Sequence, residues 1–236
     1  RRAAAAARVP EARLCADVRD LPPGISGLVV AYELFDALPV RALRAGEDGA
    51  LVERRVGLEG DGAFRWVDAP CPDGAELLAG LARRGTSPEP GQLLEVRPGT
   101  PALAREIARR LDRGLLLVFD YGAPTRALYG PARTGGTLEA FVGQTVTRDV
   151  LSEPGSRDVT SWVDFGELTE SFEAAGLAVR GLLTQSRLLL ASGIADELSR
   201  AGAGASAAER AAERNADAKL FMPGGRGESP RALVAE

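Results

Sequence analysis

GLLLVFDYG, residues 114–122, decides the fold. Five apolar residues, Leu115 to Phe119, run unbroken into Asp120 and Gly122. Just upstream, Pro101 to Asp112 has helical spacing through Leu103, Ile107, Ala108 and Leu111, with Pro101 in the first turn, where no N–H donor is needed. A helix feeding a short buried strand that ends in an acid is a parallel α/β unit.

The same reading extends outward. GLVVAYELFDALPV (27–40) holds a second apolar run, Leu28 to Ala31, suited to a strand buried on both faces, before Glu33 and Asp36. Residues 40–67 alternate loosely between glycine-containing turns, as antiparallel hairpins do. Helical spacing returns at 73–84, and GQLLEV (91–96) reads as a strand. Residues 123–160 lack clear periodicity, and so long a loop in a compact domain is usually functional. A helix is expected over 163–177, capped by Asp164 and stopped by Gly176. AVRGLLTQ (178–185) reads as a strand, SRLLLASGIADEL (186–198) as a helix and RALVAE (231–236) as a closing strand. The predicted class is α/β, open and mainly parallel.

Composition narrows the function. The chain has 236 residues, 45% of them apolar and 26% charged, enough for a sizeable core. A net charge of −4 lacks the basic footprint of a typical nucleic-acid binder, so no nucleic-acid partner is expected. No apolar run reaches the roughly 18 residues that span a bilayer. Histidine is absent, which excludes His-based triads, His–metal sites and imidazole bases, and no metal site is expected. Cys15 and Cys71 suit reduced thiols in a cytosol-like compartment. Lys219 is the sole lysine, so arginine supplies nearly all positive charge, as a GC-rich bacterial genome would encode. The chain opens on Arg1 within RRAAAAARVPEARLC, which reads as the tail of a helix in a longer protein.

Acids stand at the C-terminal ends of three expected strands: Asp17, Glu33 with Asp36, and Asp120. That edge is where open α/β sheets bind ligands, although each acid taken alone also suits a cap. YGPARTGGTLEAF (129–141) joins Tyr129 and Arg133 to a Gly135–Gly136 pair and Thr137. Adjacent glycines admit a ligand close to the backbone and Arg133 could clamp a carboxylate; a plain turn fits equally well. AGAGASA (201–207) follows a helix rather than a strand and so fails the context of a phosphate loop.

Six segments in order, YELFDALPV (32–40), LLLVFDYG (115–122), YGPARTGGTLEAF (129–141), PGSRDVTSWVDFGEL (154–168), GLLTQSRLLLASGI (181–194) and KLFMPGGRGE (219–228), resemble the MidA-like family of S-adenosylmethionine-dependent methyltransferases. The family includes a mitochondrial complex I assembly factor that acts on arginine. The resemblance implies a class I methyltransferase fold, a Rossmann-like sheet with a final antiparallel strand, in which GLVVAYE, GLLLVFD, AVRGLLTQ and RALVAE would be the fourth, fifth, sixth and last strands. LCADVRDLP would end the third. Residues 1–236 would be the later part of the domain, with 40–70 a hairpin insertion and 123–160 a substrate-side loop. Its Gly-rich cofactor loop and ribose-gripping acid would precede Arg1, so these residues alone would bind the cofactor weakly.

The implied cofactor is S-adenosylmethionine, with Asp17 and Tyr32 beside it. The implied substrate is an arginine-bearing protein, and a homodimer is left open. Glu33 and Asp36 would hydrogen-bond two guanidinium nitrogens and aim the third, with Asp120 as a further catalytic acid. Tyr121, Tyr129, Arg133, Gly136, Thr137 and Asp158 would shape the substrate side. Tyr32 stands where the family has asparagine, and histidines expected near Gln144 and at Trp162 are replaced. These departures keep two other readings open: a non-catalytic binding or assembly factor, and a small-molecule methyltransferase.

Overall fold

The computed structural model describes residues 9, 11–60, 62–143, 145–201 and 230–236. The opening arginine–alanine stretch, AGAGASA after Ala201, the KLFMPGGRGE segment and Gln144 lie outside the described residues.

Strand β6 (Leu111–Ala123) is the spine. On one side β1 (Ile25–Tyr32) pairs with it in parallel, Leu28 opposite Leu115 and Tyr32 opposite Phe119. On the other, β12 (Pro230–Ala235) runs antiparallel to β6 and to β11 (Val179–Thr184), giving the order β1-β6-β12-β11. The sheet is therefore mixed, its closing strand reversed as the family resemblance implies, where the residue pattern alone suggests a mainly parallel one. Gly27 and Gly114 face one another where β1 meets β6. A Cβ on Gly114 would stand 1.8 Å from the Gly27 carbonyl oxygen, so only glycine allows that approach.

Burial corrects the reading of both apolar runs. Leu116 and Val118 of β6 and Ala31 of β1 point into the core, with Val29 partly buried against it. Leu28 (57% exposed), Val30 (52%), Tyr32 (58%) and Leu115 face the other way. An unbroken apolar run looks the same whether one face or both are covered, so the sequence could not separate the cases. The covered face packs on helices α2 (Thr100–Ala108) and α4 (Phe165–Ala174) through Ala104, Ile107, Phe165, Leu168 and Phe172. α2 ends at Ala108, so Leu111 belongs to β6 rather than to the helical stripe.

Asp164 caps α4, its Oδ1 accepting from the N–H groups of Gly166 (2.9 Å) and Glu167 (3.3 Å), and Gly176 follows the helix end at φ +95°. The expected helix over 186–198 is two, α5 (Gln185–Ala191) and α6 (Ile194–Ala201), broken at Ser192–Gly193. LCADVRDLP holds no strand; Asp17 instead caps a 3-10 turn, Val18–Asp20.

A second sheet is antiparallel, ordered β4-β3-β2-β5 from β2 (Arg41–Ala45), β3 (Leu51–Leu58), β4 (Phe64–Pro70) and β5 (Leu93–Val96). Its inner face, with Leu43, Ala45, Leu51 and Leu94, packs on Leu81 of α1 (Gly74–Arg83) and on Leu128 and Tyr129. Residues 123–160 are folded rather than a bare loop. They hold α3 (Thr125–Leu128) and a three-stranded sheet, β8-β7-β9, of Thr145–Thr147, Glu139–Val142 and Asp158–Thr160. β10 (Val163–Asp164) then joins the end of β6 at Gly122 and Ala123.

Candidate active site

The parallel strands β1 and β6 end side by side, and the chain leaves β1 through Glu33, Leu34, Phe35 and Asp36. Glu33 donates its N–H to the Phe119 carbonyl at 2.8 Å and adopts φ +47°, a left-handed conformation that costs roughly 1 kcal/mol for a non-glycine residue. Two anchors hold it there. Phe35 is fully buried, edge-on to Phe172 with centroids 5.9 Å apart. Asp120, on β6, accepts from the Phe35 N–H at 2.9 Å and the Asp36 N–H at 3.2 Å through Oδ2, and from the Tyr121 N–H at 3.0 Å through Oδ1.

Asp120 is only 1% exposed. Burial, then the nearby Asp36 charge, pushes its carboxyl up to about 7 against the pull of the two amides and of Arg97. The expected open acid is thus a buried latch joining β6 to the turn after β1. Its proximity to Phe35 and Asp36, about 85 residues earlier, leaves no local trace in sequence. Glu33 is exposed, and its carboxyl too is raised, by partial desolvation and then by Asp36. Tyr32 and Tyr121 flank the turn, both exposed, with the Tyr32 ring 6.0 Å from that of Phe119. Tyr32, Glu33, Asp36, Asp120 and Tyr121 are therefore brought together at one strand edge.

The second group of expected site residues forms a separate network. Glu95 accepts from both the N–H and Oγ1 of Thr137 at 2.9 Å. Gly136, at φ +67°, lets this happen: a Cβ there would lie 2.4 Å from Glu95 Oε1. Tyr129 is buried and donates its hydroxyl to the Glu95 carbonyl at 2.6 Å, so it braces the fold rather than meeting a substrate. Thr137 Oγ1 in turn accepts from the Trp162 N–H at 3.0 Å, and the Arg133 guanidinium lies over the Trp162 ring at 4.2 Å, engaged there rather than held out for a carboxylate.

Two other residues stand apart. Asp17 binds Arg19 through both carboxylate oxygens, at 2.9 and 2.7 Å, which holds its carboxyl well below the usual range and leaves it committed to a neighbour. Asp158 is exposed on β9 opposite Phe141.

Sequence reading missed the residues that link the two groups. Arg97, buried after β5, donates to the Trp162 carbonyl at 2.6 Å, to the Ser161 carbonyl and to Ser161 Oγ at 2.7 Å. It fixes the chain beside Thr160, whose Oγ1 lies 3.4 Å from Asp36 Oδ2. Gln92, fully buried, donates to the carbonyls of Tyr129 and Arg133. The signal was present in GQLLEVRP, where Gln92, Glu95 and Arg97 interrupt an apolar strand; buried polar residues need partners. Cys71 lies 3.5 Å from an Arg41 nitrogen, but burial and Asp73 push its thiol up, consistent with an inert cysteine.

Residues 10–183 match a family described as "Putative S-adenosyl-L-methionine-dependent methyltransferase". The chain is 29% identical over 185 residues to the mitochondrial protein arginine methyltransferase NDUFAF7 of Xenopus tropicalis, covering 75% of this chain and 39% of that protein. To the Mus musculus protein it is 32% identical over 155 residues, covering 64% and 32%. It therefore spans about two fifths or less of the length of these curated relatives. A Burkholderia thailandensis crystal structure described as a "likely methyl transferase", bound to S-adenosyl-homocysteine, superimposes with a TM-score of 0.86 at 28% identity, covering 100% of this chain and 60% of that one.

Proposed function

The chain belongs to the family of S-adenosyl-L-methionine-dependent methyltransferases, and from that premise we propose that its Glu33–Asp36 turn is the catalytic edge of an enzyme that methylates arginine side chains of proteins. The observation that carries the reading is the latch: a buried Asp120 holds two carboxylate-bearing residues, Glu33 and Asp36, on one turn at the ends of the parallel strands. The relatives' activity on protein arginine supports the substrate class.

S-adenosylmethionine would supply an activated methyl group on a sulfonium. Beside the turn, the exposed Tyr32 ring presents a π face that suits such a cation. Asp17 does not share in that role, since Arg19 already occupies it. Guanidinium is a poor nucleophile because its charge is spread over three nitrogens. Glu33 and Asp36 would accept from two of them, drawing positive charge to that side and aiming the third nitrogen at the methyl carbon. Methyl transfer is an in-line displacement, so positioning and electrostatics are what these residues need to provide. Tyr121 would line the same edge, while Gly136, Thr137 and Arg133 would set the segment that closes over it. A bacterial cytoplasmic setting is part of this proposal and accords with free thiols at Cys15 and Cys71; no helix among the described residues is long and apolar enough to cross a membrane.

The test is incubation of the full-length protein that carries these residues with methyl-labelled S-adenosylmethionine and arginine-bearing peptides, followed by hydrolysis and mass spectrometry. Methylarginine is the expected product. Label transfer only to small molecules, or none to any acceptor, would overturn the reading.

A further inference from the structure

Away from the strand edge, the four-stranded sheet presents an outer face of opposite character. Pairing sets Ala42 opposite Arg54, Arg54 opposite Asp68 and Arg44 opposite Leu93, so these side chains share the face turned away from Leu43, Ala45, Leu51 and Leu94. Residues around Gly135, Leu138 and Arg148 border it and leave a cavity of about 280 Å³, lined by Arg54, Trp66, Leu93, Leu138, Arg148 and Val150 among others. It continues into a shallower cavity of about 930 Å³, with Arg44 and Arg65 on its wall.

The arginines here differ in what they already hold. Arg44 is paired with Asp68, and Arg65 lies 3.7 Å from Glu59. Arg54 lies over the Trp66 ring at 4.6 Å and has no acidic partner among the described residues. Stacking keeps its planar fork pre-organised while leaving its donors open. Arg148 also has no ion-pair partner among the described residues. It lies against the backbone at Gly135, where a Cβ would come within 2.7 Å of its Nη1. Two uncommitted guanidiniums thus border one cavity whose other walls are mainly apolar, and the Glu95 carboxylate that also lines it is already taken by Thr137.

We propose that this groove docks an extended acidic segment of a partner protein, with carboxylates meeting Arg54 and Arg148 and an apolar side chain seated among Leu93, Leu138 and Val150. The charge is wrong for an arginine-bearing substrate, so this docking is distinct from the proposed chemistry at Glu33 and Asp36. A nucleic-acid strand fits less well. One face of the Trp66 ring already carries Arg54, and Asp68 on the same sheet face opposes a continuous phosphate backbone.

The experiment is fluorescence anisotropy of a labelled peptide of alternating glutamate and leucine, with a lysine–leucine peptide, oligouridine and inorganic phosphate as comparison probes. Saturable binding of the acidic peptide is expected, weakening at least tenfold in the Arg54→Gln/Arg148→Gln double variant and weakening with salt. The unfolding midpoint of that variant should match the parent; should it lose its fold, Arg148→Gln alone, altering an exposed side chain, carries the same comparison. No binding, affinity unchanged in the variant, or equal arginine-dependent binding of oligouridine or phosphate would overturn the proposal.

Discussion

Two buried carboxylates, Asp120 and Glu95, each tie a distant segment to a strand, yet their surroundings differ. Glu95 meets the hydroxyl and N–H of Thr137 in a network that also engages Tyr129 and Trp162. Asp120 meets two backbone amides of the 33–36 turn, but with the Asp36 charge close by and no direct cation partner among the described residues. The first arrangement closes a fold. The second holds like charges together, which costs stability and is the kind of tension found where chemistry is done. On the function proposed above, the difference separates a brace from a site poised for chemistry.

The largest effect should appear in pH dependence. Folded Asp120 keeps its proton to about pH 7, whereas an unfolded aspartate loses it near 3.8. Its contribution is therefore fully present below pH 3.8 and is lost as pH rises through 7, by at most about 4 kcal/mol at 1.36 kcal/mol per pKa unit. Urea titrations of the parent and Asp120→Asn between pH 4 and 8 should diverge, the variant gaining relative stability as pH rises; parallel curves would place Asp120 in a wetter setting. Asp120→Ala should cost about 2–3 kcal/mol at pH 5, since the Phe35 and Asp36 amides lose their acceptor in a buried site. An unchanged midpoint would remove the latch. On the bracing side, Thr137→Val should cost about 1–2 kcal/mol by leaving Glu95 and the Trp162 N–H short of a partner, read as a lower urea midpoint. Asp17→Asn, removing an exposed pair with Arg19, should leave the midpoint where it was.

Local signals carried much of this architecture. The β6 run, the Asp164 cap, the Gly176 stop and the closing strand at 231–236 each follow from a few adjacent residues, and the structure has all four. What failed locally was decided at long range. The exposure of Leu28, Val30 and Leu115 depends on what covers the sheet, which an apolar run does not encode. Residues 123–160 fold as short strands because Phe141 pairs with Asp158 and Ala140 with Val159 across a weakly alternating stretch whose turns hide the period. Tyr129 looked available beside glycines until Glu95, 34 residues earlier, took its hydroxyl. Among the site residues, the sequence places Glu33 and Asp36 three apart on one turn, but nothing near them announces Asp120 as their anchor.

The central claim is that the Glu33 carboxylate acts by its charge, and Glu33→Gln addresses it directly because the amide keeps size and one acceptor while removing the charge. Cofactor affinity by calorimetry and methyl transfer to an arginine peptide should be measured on the same preparation of the full-length protein. The account predicts unchanged affinity with transfer slowed at least tenfold, since a charge-assisted hydrogen bond is worth roughly 1.5–3 kcal/mol and about 1.4 kcal/mol is a decade in rate. Turnover close to that of the parent would contradict it.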